Sequence, residues 1–230
     1  MISGLVRSVV AVGIVALAGV AGVEAQTGSK YPKMAPLSEY LMERGAEITL
    51  AKSAAPAAIS DKAEVMVLGP HGYETAVKGS NGFVCVVLRG WAAGNGDPDF
   101  WNPKLRAPIC FNQAAIGSQL ASMNIRTKLV LAGASEEKVF EGLKDAVAKG
   151  KLPAPETGAM CYMLSKQGYL SERDGHWHPH LMFFVPLTEA ATWGAGVEGS
   201  PVVAAANVEE EKMTVFLVPV GKWSDGTPAD

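Results

Sequence analysis

Phe83-Val84-Cys85-Val86-Val87-Leu88 is an unbroken apolar run, closed on one side by Asn81-Gly82 and on the other by Arg89-Gly90. Apolar at every position, it has no face suited to water. It therefore predicts a central strand covered by packed layers above and below. The residues before it fit the same sheet. Glu64 to Leu68 alternates around Val65 and Val67, Gly69-Pro70-His71-Gly72 turns the chain, and Tyr73 to Lys78 continues extended. Asn-Gly between extended segments is a strong hairpin signal, because both central residues of a type I′ turn need positive φ. The pattern predicts a three-stranded antiparallel meander.

Helical signals fall on either side. Pro36 to about Lys52 reads as one helix, with Pro36 in the first turn and Leu37, Leu41 and Ile48 near one face. Asn112 can cap a second, carrying Ile116, Leu120, Met123 and Leu131 and stopping at Gly133. Ser135-Glu136-Glu137 opens a third, lined by Val139, Phe140, Leu143 and Val147 and ended by Gly150. Ser135-Glu136-Glu137-Lys138 also matches the Ser-x-x-Lys of penicillin-recognising enzymes, but a helix cap explains it and no partner motif accompanies it. Four further strands follow, at Ala159 to Leu164, His178 to Val185, Val202 to Ala206 and Met213 to Val220. Strand runs flanking a helical middle predict an α+β fold, a mainly antiparallel sheet with the helical section packed on one face. The expected organisation is a signal peptide over 1–25, a flexible N-terminus over 26–35 and a single domain over 36–230.

The signal peptide rests on Arg7 before an apolar run from Val9 to Val23, with Val23-Glu24-Ala25 as a small-residue exit. That run falls short of the roughly 20 residues that span a bilayer. No stable membrane span is expected after cleavage, and the destination is periplasmic or secreted. A net charge of −3 with no basic block leaves no electrostatic footprint for nucleic acid. Export favours paired thiols, yet there are three cysteines, so at least one of Cys85, Cys110 and Cys161 is left over. Gly90 to Pro108 is a long polar and aromatic loop, and a loop of that length is usually functional or pinned. Cys85 and Cys110 bracket it, and a Cys85–Cys110 disulfide would pin it.

Asn81-Gly82-Phe83-x-Cys85, Pro108-Ile109-Cys110-Phe111, the helix pair and Pro179-His180-Leu181-Met182-Phe183 together resemble a group of bacterial exported proteins of unknown function. The resemblance covers most of the chain beyond residue 25. It implies export and the two-cysteine pattern, and it implies no activity, ligand or site residue.

Chemistry concentrates in His176-Trp177-His178-Pro179-His180, which holds three of the four histidines. In an extended strand His176, His178, His180, Met182 and Phe184 share a face. Two histidines at i and i+2 can converge on one ion, and imidazole suits zinc, copper, nickel and iron. The outer pair, about 13 Å apart at ~3.3 Å per residue, needs help from elsewhere. His71, Cys161 or a methionine are the candidates. The register between the strands of Cys161 and His180 decides which arrives: Tyr162 opposite His180 turns Cys161 away, and a slip of one residue puts Cys161 opposite His180. Glu172 and Asp174 can orient an imidazole, and Trp177 and Met182 can wall a pocket. Asp97 and Asp99 offer a second polar cluster beside Trp91 and Trp101. The plain alternative is a strand entry whose imidazoles bond carbonyls or water, with the methionines and Cys161 as core filler. Three functions are consistent with these residues: a binding protein for a transition metal or small molecule near residues 176–180, a metal-dependent hydrolase or oxidoreductase using His178 and His180, and an envelope protein without a site.

Overall fold

The computed structural model describes residues 30–172, 175 and 177–229; the expected signal peptide, His176 and Asp174 lie outside them. Eight strands form one sheet in the order β2-β1-β3-β4-β5-β6-β8-β7. They are β1 Glu64–Gly69, β2 Gly72–Val77, β3 Val84–Leu88, β4 Ala107–Phe111, β5 Met160–Met163, β6 His180–Pro186, β7 Val203–Val208 and β8 Met213–Pro219. All neighbours pair antiparallel except β1 with β3. The helices are α1 Arg44–Lys52, α2 Ala57–Ser60, α3 Gln113–Ala115, α4 Ala121–Leu131 and α5 Glu136–Ala148. The fold is α+β with a mainly antiparallel sheet, as the pattern predicts. Among the described residues no helix is long and apolar enough to cross a membrane.

Strand β3 occupies the covered position its composition demands. Val84 and Val86 face the layer of α3 and α4 together with Ile109 and Phe111. Cys85 and Val87 face α1 with Val65 and Cys110. Burying each such aliphatic side chain stabilises the fold by roughly 1.5–3 kcal/mol. Between α1 and β3 lies a buried ion pair. Arg89 Nη2 sits 2.9 Å from Glu47 Oε1, with the two side chains 0% and 1% exposed. Leu68 N–H also donates to Glu47 Oε1 at 3.0 Å.

Two local expectations are corrected. The segment 64–88 is no meander, because β3 pairs parallel with β1 instead of antiparallel with β2. The chain leaves β2 and passes the start of β1 to reach its other side. Ser80 N–H bonds Lys62 O at 2.8 Å and Glu64 N–H bonds Phe83 O at 2.8 Å. A Cβ on Gly79 would lie 2.1 Å from Glu64 N, so glycine is required where the two backbones meet. Asn81 contributes an Asx turn to Phe83 N–H, not a two-residue hairpin. Nor is Pro36 to Lys52 one helix. A single turn at Leu37–Glu39 ends where Tyr40 turns inward, its hydroxyl donating to Trp101 O at 2.8 Å and its carbonyl taken by Arg89 Nε at 2.8 Å. Glu43 then caps α1 by accepting from Gly45 and Ala46 N–H.

The long loop is pinned as expected. Cys85 and Cys110 face each other across β3 and β4 and are joined, with Cα atoms 4.0 Å apart. Trp91, Phe100 and Trp101 bury against α5. Closing the 25-residue separation stabilises the fold by about 3–4 kcal/mol on the chain-entropy account. The double substitution Cys85→Ala, Cys110→Ala should therefore lower the urea-unfolding free energy by about 3 kcal/mol. Thiol titration of the denatured, unreduced wild-type chain should find Cys161 alone; three reactive thiols would contradict the bridge.

Candidate functional site

The face of the sheet under α4 is not filled throughout. Between α4 and the strands β4, β6, β7 and β8 lies a cleft of about 520 Å³. Its floor is apolar: Ile109 and Phe111 of β4, Met182 and Phe184 of β6, and Met213 and Val215 of β8. Ala205, Ala206 and Val208 of β7 form one rim, and Ala92 to Asn95 of the long loop form another. Leu88, Ala92 and Ala93 are shared with a neighbouring cavity of about 270 Å³ that reaches Met163 and Ser171.

The roof is α4 with the helical turn just before it, and here the side chains are polar. Gln119, Ser122 and Arg126 line the cleft with Met123. They are spaced three and four residues apart and so share one helix face. The helix reaches this position through a π-helical turn, Ile116–Leu120, inserted between α3 and α4. Such turns displace the following side chains around the axis and are frequent at functional sites. Gln119 is 8% exposed, and its amide donates to the Sδ of Met213 at 3.0 Å. Arg126 is committed. Its Nη2 donates to Glu211 Oε1 at 2.6 Å, and its Nη1 donates to Trp91 O at 3.2 Å and Ala93 O at 3.0 Å. The guanidinium lies 4.8 Å from the Phe140 ring centre. One residue thus joins α4, α5, the long loop and the turn before β8.

The histidines are distributed differently from the expectation. Strand β6 begins at His180, so alternation does not extend back through Pro179. His178 is exposed with its ring 6.4 Å from that of Trp223. His180 is buried beside Trp177, ring centres 6.2 Å apart, and its Nδ1 lies 2.7 Å from His178 O. A carbonyl only accepts, so Nδ1 carries the proton. His71 lies exposed in the turn between β1 and β2, with β3, β4 and β5 separating β1 from β6. The register is Met163 opposite His180 and Cys161 opposite Met182, which is neither of the two alternatives considered. Cys161 shares the inner face with His180 without standing across from it. It is fully buried, and burial pushes its thiol far above the ordinary range, which disfavours the thiolate.

The remaining candidates are engaged elsewhere. Glu172 pairs with Lys30 and, at 3.5 Å, with Lys104. Trp177 is buried against Gly168, where a Cβ would come within 2.2 Å of the indole. Met182 lines the cleft. Asp97 and Asp99 edge the smaller cavity, but Asp97 accepts from Asp99 N–H and Asp99 from Asn102, so both serve the turn. Among the described residues no group of three or more His, Cys, Asp or Glu side chains could hold a metal ion. Comparison with protein-family models, with curated proteins and with solved structures returns no match.

Burial lowers the affinity of His180 for a proton below its ordinary value of 6.5, outweighing the His178 carbonyl, which raises it. The unfolded chain therefore takes up this proton first as pH falls. The contribution is intact above pH 6.5 and is lost progressively as pH drops toward the folded value. His180→Leu should show a flatter stability-against-pH curve than wild type as pH falls below about 6.5 in urea titrations. An unchanged slope would place the imidazole in water.

Proposed function

We propose that this chain is an exported binding protein for a small, mainly apolar molecule, held in the cleft between α4 and the sheet. The observation that carries the reading is the cleft itself: about 520 Å³ over an apolar floor, with a few polar side chains converging from one helix face. Ligand sites commonly enclose about 300–1,000 Å³ with this mixture of walls. Met123, Met182 and Met213 all border it. Thioether side chains are flexible and polarisable, so such walls adapt to an apolar guest.

Export to the periplasm or outside the cell is supported by the N-terminal apolar run of the sequence and is compatible with the Cys85–Cys110 bridge. A metal-dependent hydrolase or oxidoreductase on His178 and His180 has less support. One imidazole faces solvent and the other has its Nδ1 committed to a carbonyl, so they do not converge.

N-phenyl-1-naphthylamine, a neutral apolar fluorophore, should bind the protein saturably with increased emission. Ala206→Trp, an exposed rim position that lines the cleft, should abolish that signal. Ala204→Trp, on the same strand but outside the lining, should retain it. Equal binding by both variants, or none by wild type, would contradict the proposal.

A further inference from the structure

Gln119 and Ser122 are polar, almost fully buried and underused. They are 8% and 3% exposed and both line the cleft. A glutamine amide offers two donor hydrogens and two acceptor lone pairs, and a serine hydroxyl adds a donor and acceptors. Among the described residues the only hydrogen bond made by the Gln119 amide is to the Met213 thioether, a weak acceptor. The Ser122 hydroxyl makes none among those residues. Neither side chain has a polar atom sealed away without a partner, so their spare hydrogen-bonding capacity opens onto the cavity they both line. Gln119 lies near the end of the π segment and Ser122 just after it, within one helical turn.

We infer that the ligand of this cleft carries a neutral group that both donates and accepts hydrogen bonds, an amide or amide-like edge, received by Gln119 and Ser122. The inference rests on the cleft being a ligand site and deepens that reading by naming the ligand's polar end. Neutrality follows from the charges nearby. Three of the Arg126 donors are taken by Glu211 and two carbonyls. Glu210 and Glu211 both border the cleft and are paired with Lys144, at 3.5 Å, and with Arg126, so the cations beside the cleft are already matched and an anionic guest gains no unpaired positive partner from them. A donor on the guest satisfies the Gln119 carbonyl. Its acceptor takes the Ser122 hydroxyl or the second hydrogen of the Gln119 amide. The apolar remainder lies on Met182, Phe184 and Val215.

Two probes of similar shape separate the polar end from the apolar body: 2-naphthamide and 2-ethylnaphthalene, each displacing N-phenyl-1-naphthylamine. The variant Gln119→Met, Ser122→Ala keeps the cleft's shape and removes its polarity. It should lose roughly tenfold or more of its affinity for 2-naphthamide while binding 2-ethylnaphthalene as well as wild type or better. Without ligand it should unfold at a higher temperature than wild type, because two polar side chains facing an apolar floor have been replaced by apolar ones. 2-Naphthoate should be the weakest competitor for wild type. An equal loss for both probes, an unchanged preference, or tight naphthoate binding would overturn the inference while leaving the cleft a binding site. If no probe binds wild type, the cleft reading fails and this inference fails with it.

Discussion

The guanidinium of Arg126 is the tie on which the cleft depends. A cavity this size between a helix and a sheet tends to collapse, since closing it restores contacts that its walls lack. Arg126 holds three backbones at fixed separations: it takes carbonyls from Trp91 and Ala93, pairs with Glu211 and stacks on Phe140. Trp91 returns the constraint by donating its indole N–H to Thr127 on α4 at 3.0 Å. Removing one partner of such a buried pair strands a charge and costs about 3–5 kcal/mol, whereas the intact pair adds little net stability over an apolar replacement. What the pair supplies is position. It sets how far the long loop and the turn before β8 stand from α4.

The π turn works in the same direction. A regular helix from Gln113 to Leu131 would carry its polar side chains around to a different angle. The inserted turn keeps Ser118, Gln119 and Leu120 all buried and aims Gln119 at Met213. The Ser118 hydroxyl is also buried without a hydrogen-bond partner among the described residues. Local rules broken together at one place, next to a cavity, are the pattern expected where function has been favoured over stability. The rest of the fold offsets it: the Cys85–Cys110 bridge and the three apolar clusters supply stability.

Much of the frame was legible in the sequence, for identifiable reasons. Phe83 to Leu88 had no polar face, so its central place followed. Cys85 and Cys110 bracketed a loop that needed pinning, so their pairing followed. Ser135 announced the start of α5 by residue type, and it caps that helix by accepting from Lys138 N–H. The parallel pairing of β1 and β3 was hidden because Asn81-Gly82 marks a change of direction without saying which neighbour the next strand meets. The break at Tyr40 was hidden because its cause, Arg89 and Trp101, lies far along the chain. The register of β5 on β6 depended on a one-residue offset that apolar residues on both faces of β6 did not fix. The site was the least legible part. Gln119, Ser122 and Arg126 recur at helical spacing, but on a helix polar residues are ordinarily taken for the wet face. Their signal was that Leu120 and Met123 share their turns, which left no clean division between faces. The histidines drew attention by density, yet density says nothing about whether a strand begins at His176 or at His180.

The most direct test places a guest by its neighbours. Labelling the methionine methyl groups with carbon-13 gives each described methionine its own reporter in an NMR spectrum. Addition of N-phenyl-1-naphthylamine should shift Met123, Met182 and Met213 together, since all three border the cleft. Met42, which packs against the opposite face of the sheet beside α1, should stay in place. Shifts confined to methionines away from the cleft, or no shifts at saturating probe, would contradict the claim that this cleft is the site.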